Sequence, residues 1–439
     1  MAKNAQDTAK MAVKAREASL ALARLDAATK NRALKAMAAA LRKNKALILK
    51  ENEKDVKAGE KLVAQGKLGK ALLKRLIVDE VKLEGMAVGV ESVARLPDPV
   101  GHVMDTVLLD DGLELKQVSC PIGVIGAVFE SRPDVVPQVS SLCLKAGDAV
   151  MFKGGSEAAC SNRVLAVVLA RAAASVPGVP LAAIQLLETR EEVNAMLLLD
   201  EYIDLLVPRG SNEFVRFIMD NSRIPALGHA DGICHVYVDS EAALTTAAAV
   251  AFDSKVQYPA VCNAMETLLV HKDIAPKFLP LIMKKYTEAG VEVRGCPRAR
   301  KAAPGTGMKA ATEADWKAEY LDLTLAVRVV NSLADAVAHI NTYGSGHTEC
   351  IVTKSNKNAQ EFIAGVDAAC VFHNCSTRFS DGFRFGKGAE IGISTNKIHA
   401  RGPVGLEGLV IYRYILKGKG HVVATYAGPN AKPFKHIRK

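Results

Sequence analysis

Apolar positions in the first hundred residues recur at spacings of three and four. The stretch from residue 8 to about residue 95 is rich in alanine, leucine, lysine and arginine, as in LARLDAATKNRALKAMAAALRKNKALILKENEKDV. That spacing matches the 3.6-residue period of an α-helix, and these residue types have high helix propensity. The sequence therefore predicts that the chain opens with amphipathic helices.

From residue 121 the pattern changes to short apolar runs that alternate with helical segments. The first series of runs is PIGVIGAVFE, DAVMFKGG, AAIQLLET and YIDLLVPRG. A second series begins at about residue 233 and comprises ICHVYVD, METLLVH, VEVRG, LTLAVRVV, HTECIVT and AACVFHN. Apolar strands alternating with helices are typical of parallel sheets that are covered on both faces. We predict an α/β fold with two α/β domains in series and a cleft between them.

Two further segments have the character of antiparallel strands. Residues 106–120, TVLLDDGLELKQVSC, read as a hairpin around Asp111-Gly112, because Asp-Gly suits a two-residue hairpin turn. Near the carboxyl terminus, GLVIYRYILKG is an apolar strand with no evident partner in its own domain. Isolated hairpins are only marginally stable. We therefore expect the two segments to form a small β extension that reaches a second subunit.

The composition excludes several classes of protein. With 439 residues, 49% hydrophobic and 24% charged, the chain resembles an ordinary globular protein. The net charge is +10, but the basic residues are scattered and aromatic residues make up only 5%, so we expect no nucleic-acid partner. A basic balance also suits phosphates and nucleotides. No apolar run approaches the ~18 residues of a membrane span and no leader pattern opens the chain, so we expect a cytoplasmic protein.

The nine cysteines do not form a metal or disulfide pattern. Their number is odd and no CxxC pair occurs, which argues against a zinc knuckle and against a disulfide framework. Cys370 and Cys375 bracket His373, and these residues could be metal ligands or packing residues. Packing is the commoner role for lone cysteines and histidines on a strand, so we expect no metal.

Two turns between a strand and a helix are rich in glycine and hydroxyl groups. They are Lys153-Gly154-Gly155-Ser156-Glu157 and Pro208-Arg209-Gly210-Ser211-Asn212-Glu213. Neither matches a known nucleotide motif, and each could be a simple turn with a helix cap. Backbone amides at a helix start attract phosphate, and ligands collect at the carboxyl ends of parallel strands. Two such turns in one sheet favour a phosphate-bearing ligand.

Cys262 and a basic loop are further candidates for chemistry. Cys262 lies in a loop between a helical run and a buried strand, in DSKVQYPAVCNAMETLLVH. It is either a small buried hydrophobe or a nucleophile activated by nearby groups. The segment NCSTRFSDGFRFGKGAEIGISTNKIHARGPVGLEG combines small residues with several cations, which suits either a solvated loop or a loop around an anionic ligand.

Seven segments together resemble a known family. They are PIGVIGAVFESRPDV, GDAVMFKGGSEAACSNRVL, IDLLVPRGSNEFVRFI, HADGICHVYVDSEA, YPAVCNAMETLLVH, YGSGHTECIVT and STRFSDGFRFGKGAEIGISTNKIHARGPVGLEGL. In content and order they resemble the γ-glutamyl phosphate reductase (glutamate-5-semialdehyde dehydrogenase) family of the aldehyde dehydrogenase superfamily. The resemblance covers residues from about 121 to 408, and the helical opening and the hairpin also fit it.

The resemblance implies an aldehyde-dehydrogenase-like fold in three parts. Residues 1–105 and 121–232 would form a Rossmann-like NADP-binding domain. Residues 233–405 would form the catalytic domain with its nucleophilic cysteine. Residues 106–120 and 406–430 would form the β extension for oligomerisation, and both a homodimer and a homotetramer remain open.

The implied activity is reduction of L-glutamate 5-phosphate to L-glutamate 5-semialdehyde and phosphate, the second step of proline biosynthesis. NADPH is the implied cofactor, although the residues themselves fit NADH as well. Glutamate 5-kinase is a candidate partner, because related reductases occur fused to that kinase. Neither a nucleic acid nor a membrane is implied as a partner.

The resemblance also assigns residues to the site. Cys262 matches the family nucleophile, and donors near Ser131 together with the Cys262 amide would hold the oxyanion. The cofactor would contact Lys153, Gly155, Ser156, Gly210, Ser211 and Glu319. The substrate would contact basic residues, and which of them binds its phosphate stays open: Arg132, Arg378, Lys397, His399 and Arg401.

One departure from the wider superfamily bears on the reaction. Hydrolytic members carry a glutamate about 34 residues before the nucleophile, which activates water. Here that region reads ALGHADGICH, with Gly228 and His229 at the matching place. His229 is either a substitute base or a structural residue. Without a base, phosphate can replace water as the acyl acceptor. The alternatives are a hydrolytic or CoA-acylating aldehyde dehydrogenase, or a non-catalytic scaffold with the same fold.

Overall fold

A computed structural model describes residues 2–229 and 231–439 and divides the chain into two compact units. Unit 1 contains the residues through Leu227, Gly388–Gly392 and Val404–Lys439, and unit 2 contains Gly228–Lys387 and Ile393–Pro403. Each unit has its own sheet.

The predicted helical opening is present as five helices of unit 1. Asp26 and Asp79 cap two of them by accepting the amide hydrogens of Thr29 and Lys82, as short acidic side chains do at helix starts. The helices are α1 (Ala2–Leu22), α2 (Ala27–Lys43), α3 (Lys45–Ala64), α4 (Lys70–Leu76) and α5 (Glu80–Arg95).

The predicted hairpin follows these helices. Strands β1 (Val103–Asp110) and β2 (Leu113–Pro121) pair antiparallel across the Asp111-Gly112 turn. Gly112 has φ +76°, in the left-handed region that glycine adopts without strain.

Unit 1 also contains a parallel sheet of four strands. The strands are β3 (Val124–Phe129), β4 (Ala149–Gly154), β5 (Ile184–Leu187) and β6 (Leu205–Arg209). Their order is β5-β4-β3-β6, and all pairs are parallel. Strands β3 and β4 are buried along their whole length. The helices between and after them are α6 (Val135–Ala146), α7 (Ala159–Ala174), α8 (Arg190–Met196) and α9 (Asn212–Asn221).

Unit 2 is built on a seven-stranded parallel sheet. Its order is β10-β9-β11-β8-β7-β12-β13. The strands are β7 (Cys234–Val238), β8 (Met265–His271), β9 (Glu292–Gly295), β10 (Lys309–Ala310), β11 (Thr324–Val330), β12 (Thr348–Val352) and β13 (Cys370–His373). The helices are α10 (Leu244–Val256), α11 (Ala275–Glu288), α12 (Pro297–Ala302), α13 (Leu333–Tyr343) and α14 (Asn356–Gly365). A large apolar cluster that includes Val236, Leu268, Phe278 and Val327 packs on the sheet, and a second cluster around Tyr237 and Phe362 is separate from it. Both α/β sheets match the predicted fold class.

The carboxyl-terminal strand pairs with the hairpin of its own chain. Strands β14 (Gly392–Ser394) and β15 (Gly402–Val404) form a short ribbon, after which β16 (Val410–Lys417) pairs antiparallel with β2. Strand β17 (Ile437–Arg438) pairs with β1. The hairpin and the tail strand, which we expected to form one β extension, are therefore parts of one small sheet in this chain. The two segments lie about 290 residues apart in the sequence, so the register of their pairing does not follow from a local pattern.

The units divide the chain at slightly different places from those predicted. The first boundary falls after Leu227 instead of residue 232, and the carbonyl of Gly228 accepts the amide hydrogen of Thr395 within unit 2. Residues 388–392 belong to unit 1, where the Glu390 carbonyl accepts a hydrogen bond from Gln138. No helix among the residues described is long and apolar enough to cross a membrane.

Candidate active site

The candidate nucleophile lies at the amino edge of the unit 2 sheet. Cys262 is part of the turn that leads into β8, and Gly232 lies two residues before β7, the neighbouring strand. Glu319 precedes β11 on the other side of β8. Because neighbouring strands lie only about 4.8 Å apart, these three loops share one short stretch of the sheet edge.

Gly232 and Cys262 are in very close backbone contact. A β-carbon at residue 232 would lie 2.2 Å from the carbonyl oxygen of Cys262 and 2.5 Å from its α-carbon. Only glycine fits at that distance. The same carbonyl oxygen accepts a hydrogen bond from Cys234 Sγ at 3.2 Å. The Cys262 turn is thereby held by β7 and by the loop before it, and its thiol is partly exposed.

Glu319 is hydrogen-bonded to the loop that contains Gly232. Its Oε1 accepts the amide hydrogen of Gly232 at 2.9 Å. A buried ion pair lies nearby, in which Lys255 Nζ donates to Glu266 Oε2 at 2.6 Å, and Oε1 of Glu266 accepts the amide hydrogen of Leu321. Burial raises the pKa of Glu266 to about 7 and lowers the pKa of Lys255. The loop that carries Glu319 is therefore anchored to β8 and to the Gly232 turn.

Two histidines lie beside the thiol. One ring nitrogen of His229, one of His347 and the Cys262 sulfur lie within 4.8 Å of one another. The two rings meet edge to face, with centroids 4.9 Å apart. His229 Nδ1 bonds to the carbonyl oxygen of Ile393 at 2.8 Å. His347 is fully buried, and its Nε2 has no hydrogen-bond partner.

Arg378 supplies a cation close to the thiol. It is mostly buried, its Nε donates to Gln257 at 2.9 Å, and its guanidinium group lies over the Tyr258 ring. Burial and the nearby Arg384 lower the pKa of Arg378, whereas the Cys262 sulfur raises it. Arg378 therefore places a positive charge near the Cys262 sulfur.

Two of the other predicted substrate residues of unit 2 line a cavity of about 450 Å³. Lys397 and Arg401 line it and both form ion pairs with Asp367. The wall also contains Glu349, whose Oε1 is buried without a hydrogen-bond partner. Ser345 also lines the cavity, and its Oγ accepts the amide hydrogen of Ile233 at 2.9 Å. Ile233 follows Gly232, so this bond connects the cavity wall to the loop that contacts Cys262. His399 is exposed and does not line the cavity.

The glycine-rich turns of unit 1 lie at the carboxyl ends of two strands of one parallel sheet. One follows β4, the other follows β6, and β3 lies between them. The Ser211 amide at the start of α9 donates to Glu130 Oε2 at 2.7 Å. This amide therefore already donates to a carboxylate oxygen, so the turn directs its N–H toward an anion.

The Ser131 donors are engaged in a similar way. Both the amide and the hydroxyl group of Ser131 donate to Glu157 Oε1, at 2.6 and 2.7 Å. Ser131 has φ +42°, an uncommon conformation for a residue other than glycine. Arg132, the next residue, is partly exposed and forms an ion pair with Asp134. The two donors that we expected at the oxyanion are thus bonded to Glu157 in this conformation.

The remaining predicted cofactor residues lie in the turn after β4. Lys153 is buried, its ammonium group donates to the Gly154 carbonyl, and burial lowers its pKa. Ser156 is exposed at the start of a short 3₁₀ turn. A β-carbon on Gly155 or Gly210 would collide with the Glu157 or the Glu130 carboxylate, respectively.

Sequence reasoning missed several residues of the site. Gly232, Cys234, His347, Asp367 and Glu349 gave no motif of their own, because strand order brings them together from distant segments. A useful signal was present for two of them: Gly232 and His347 lie two residues and one residue before strands β7 and β12, and Cys262 lies three residues before β8.

Comparisons with known proteins show which family the chain resembles. A model of the aldehyde dehydrogenase family matches residues 107–311. A γ-glutamyl phosphate reductase of Methanococcoides burtonii is 56% identical over 98% of this chain and 97% of its own length. One from Pelotomaculum thermopropionicum is 55% identical with the same coverage.

Solved structures give the same result. The crystal structure of γ-glutamyl phosphate reductase from Thermotoga maritima superposes with a TM-score of 0.91 at 40% identity, over 94% of this chain and 99% of that one. The glyceraldehyde-3-phosphate dehydrogenase GapN of Methanocaldococcus jannaschii, solved with NADP, has a TM-score of 0.64 at 16% identity, covering 94% and 95%; it shows the fold alone. The predicted fold class and family resemblance are confirmed: the chain belongs to the γ-glutamyl phosphate reductase family, within the aldehyde dehydrogenases.

Proposed function

We propose that this chain reduces L-glutamate 5-phosphate to L-glutamate 5-semialdehyde with NADPH, through a thioester on Cys262, as the second step of proline biosynthesis. The observation that carries the proposal is the position of Cys262. Its turn is fixed by Gly232 and Cys234, and its partly exposed thiol lies beside a buried cation, Arg378. The relatives named above bear the name of this reductase.

The first half of the reaction is acyl transfer to sulfur. The Cys262 thiolate attacks the acyl carbon of the mixed anhydride, the bond from that carbon to the phosphate oxygen breaks, and inorganic phosphate leaves with the electron pair. The product is a γ-glutamyl thioester. Arg378 suits this step because a guanidinium binds phosphate well. The Cys262 amide is the proposed oxyanion donor.

The residues of unit 1 fit a nicotinamide dinucleotide. The Ser211 amide at the start of the ten-residue helix α9 already binds an anionic oxygen from Glu130, so a phosphate oxygen is a suitable replacement. Lys153 and Ser156 would contact the adenosine ribose, Gly155 and Gly210 would let the ligand approach, and Glu319 would hold the nicotinamide ribose. When bound, the reduced nicotinamide supplies the hydride that converts the thioester to the aldehyde.

The cavity of unit 2 suits the amino-acid end of the substrate. Lys397 and Arg401 offer positive charge for the α-carboxylate, and Asp367 and Glu349 offer carboxylate oxygens for the α-ammonium group. The unpartnered Oε1 of buried Glu349 favours a ligand that donates a hydrogen bond, since buried polar atoms are rarely left without partners. Arg132 and His399 remain predicted contacts of the substrate.

The site also favours phosphate over water as the acyl acceptor in the reverse direction. Where hydrolytic relatives place a glutamate base, this chain has Gly228 and His229. The His229 Nδ1–H donates to the carbonyl oxygen of Ile393, a bond that orients the ring. A CoA-acylating enzyme is the second candidate, because it too needs no base for water.

We further propose that the chain works as a homo-oligomer in the cytoplasm. Edge strand β16 carries exposed Tyr412, Tyr414 and Leu416 on one face, and a second copy of this face would bury them. All nine cysteines are free, which suits a reducing compartment. Glutamate 5-kinase is the proposed supplier of substrate, because an acyl phosphate is too reactive to persist long in water.

Phosphate dependence tests the proposed function. Purified chain is given L-glutamate 5-semialdehyde and NADP⁺, and formation of reduced nicotinamide is followed with and without phosphate or arsenate. Turnover is expected only with the oxyanion, and Cys262→Ser should abolish it while leaving nicotinamide binding intact. Steady turnover without phosphate would support a hydrolytic enzyme, and turnover that requires CoA would support an acylating one.

A further inference from the structure

The cluster of Cys262, His229 and His347 has the composition of a zinc ligand set. One ring nitrogen from each histidine and the Cys262 sulfur lie within 4.8 Å of one another. Imidazole nitrogen and cysteine thiolate are both preferred zinc ligands, and three protein ligands with a fourth position open are the arrangement of an open zinc site. Nothing in the proposed reduction requires all three groups to converge on one point.

Hydrogen bonding fixes which nitrogen of His229 can bind a metal. Its Nδ1 bonds to the carbonyl oxygen of Ile393 at 2.8 Å. A carbonyl oxygen only accepts, so Nδ1 carries the hydrogen, and in the neutral ring the lone pair is on Nε2. A metal-binding histidine is oriented in just this way by a carbonyl partner on its other nitrogen.

His347 is oriented in the same sense. Cys234 Sγ donates its one hydrogen to the Cys262 carbonyl, so toward His347 Nδ1, 3.6 Å away, the sulfur can only accept. Thr348 Oγ1, 2.8 Å from Nδ1, can accept as well. With the hydrogen on Nδ1, the lone pair of His347 is on Nε2. That atom is fully buried and has no partner, which is costly for a polar atom unless a ligand binds it.

We propose that Cys262, His229 and His347 form an inhibitory binding site for Zn²⁺ or a similar borderline-soft divalent cation. Binding replaces the thiol hydrogen by a sulfur–zinc bond and releases that proton to solvent. The sulfur is then no longer available as a nucleophile. The ion is not a cofactor of the proposed reaction; its binding stands on the geometry alone, whereas the inhibition rests on the proposed role of Cys262.

The geometry requires only a small contraction. With zinc–sulfur and zinc–nitrogen bonds of about 2.3 and 2.0 Å, ligand atoms of a tetrahedral site lie roughly 3.5 Å apart. The three atoms are at most 4.8 Å apart. Cys262 is partly exposed in a turn, and rotation of its side chain can provide the difference.

Cobalt titration of the reduced full-length chain tests the site without any enzyme assay. Co²⁺ is expected to bind once per chain and to produce a thiolate-to-cobalt charge-transfer band with intense visible bands of a four-coordinate ion, and Zn²⁺ should bleach both. Cys262→Ala should remove the charge-transfer band. His347→Gln should weaken Zn²⁺ binding by about 100-fold or more, since loss of even an outer partner of a ligand costs about 10–100-fold.

His373→Gln is the matched control. His373 lies between Cys370 and Cys375 but belongs to no three-ligand group among the residues described, so this variant should bind Zn²⁺ as the wild type does. If His347→Gln fails to fold, alkylation of the wild-type chain gives the answer. Zn²⁺ should slow iodoacetamide modification of Cys262 at least tenfold, and a chelator should restore it.

Inhibition is tested by repeating the Zn²⁺ titration in the semialdehyde assay. Zn²⁺ should suppress turnover, and a chelator should restore it. Unchanged cation affinity in Cys262→Ala, or alkylation of Cys262 at the same rate with and without bound Zn²⁺, would overturn the site. If the wild-type chain has no phosphate-dependent turnover but passes the cobalt and alkylation tests, the proposed function fails and the metal site stands.

Discussion

The backbones of Gly232 and Cys262 are so close that a β-carbon on residue 232 would lie 2.2 Å from the Cys262 carbonyl oxygen. The obstacle is backbone, so no side-chain rotation relieves it. The amide of the same glycine donates to Glu319. One residue without a side chain therefore sets the position of both the proposed nucleophile and a proposed cofactor contact.

We predict that Gly232→Ala displaces the Cys262 turn and lowers kcat by about 100-fold, the usual effect of moving a reacting group by about 1 Å. The matched control is Gly89→Ala in α5, where the added carbon would meet no atom within 4 Å. Semialdehyde oxidation with phosphate and thermal unfolding are measured for both. Wild-type kcat in Gly232→Ala would contradict the proposed geometry.

Glu130 is predicted to compete with the cofactor. Its carboxylate accepts the amide hydrogen of Ser211 at 2.7 Å. A cofactor phosphate that binds this amide must therefore displace the carboxylate. Glu130→Ala should therefore bind NADP⁺ more tightly, by about tenfold, the equivalent of one charge-assisted hydrogen bond. Fluorescence or calorimetric titration measures this, with Glu191→Ala, an exposed carboxylate on α8, as the control. Weaker binding in Glu130→Ala would show that Glu130 assists the cofactor.

The buried carboxylate four residues after Cys262 predicts a specific pH dependence. Burial raises the pKa of Glu266 to about 7, against about 4.3 in an unfolded chain. The folded state therefore holds this proton more tightly. The stability that Glu266 contributes is complete below about pH 4.3 and is lost as pH rises through about 7.

The measurement is the free energy of unfolding of the wild type minus that of Glu266→Gln, determined by denaturant titration at several pH values. The difference should fall as pH rises from about 4.3 to about 7, by at most about 1.4 kcal/mol per pH unit. Glu288→Gln, on the exposed end of α11, should show no such slope. A difference that increases with pH would contradict the assigned shift.

The face of β16 predicts the effect of charge on assembly. Tyr412, Tyr414 and Leu416 are 50%, 63% and 56% exposed, and alternation along a strand places them on one side. Tyr414→Asp should dissociate the oligomer, because an unpaired charge buried in an apolar contact is costly. Light scattering after size exclusion measures the mass, and Lys417→Asp, on the opposite side of the strand, is the control. A wild type that is monomeric at micromolar concentration would refute the proposed face.

Local patterns predicted most of the fold. The helical opening, the strands of both parallel sheets except the two-residue β10, and the Asp111-Gly112 hairpin follow from periodicity and turn chemistry, because burial and backbone preference act within a few residues. The hairpin and the tail strand were expected to form one β extension, but the register that places Tyr412 opposite Ser119 did not follow, since these residues are far apart in sequence. The site shows the same limit. Cys262 could be proposed from its loop, whereas His347 and Gly232 reach it only through the strand order.

A trapped acyl-enzyme tests the central claim most directly. The chain is incubated with L-glutamate 5-semialdehyde and NADP⁺ without phosphate, quenched in acid and digested. The mass of the peptide that contains Cys262 is then measured by mass spectrometry. The proposed chemistry predicts one γ-glutamyl group on Cys262, one reduced nicotinamide formed per site, and loss of the adduct when phosphate is added before the quench. A burst of reduced nicotinamide with Cys262 unmodified, or an acyl group on another residue, would contradict it.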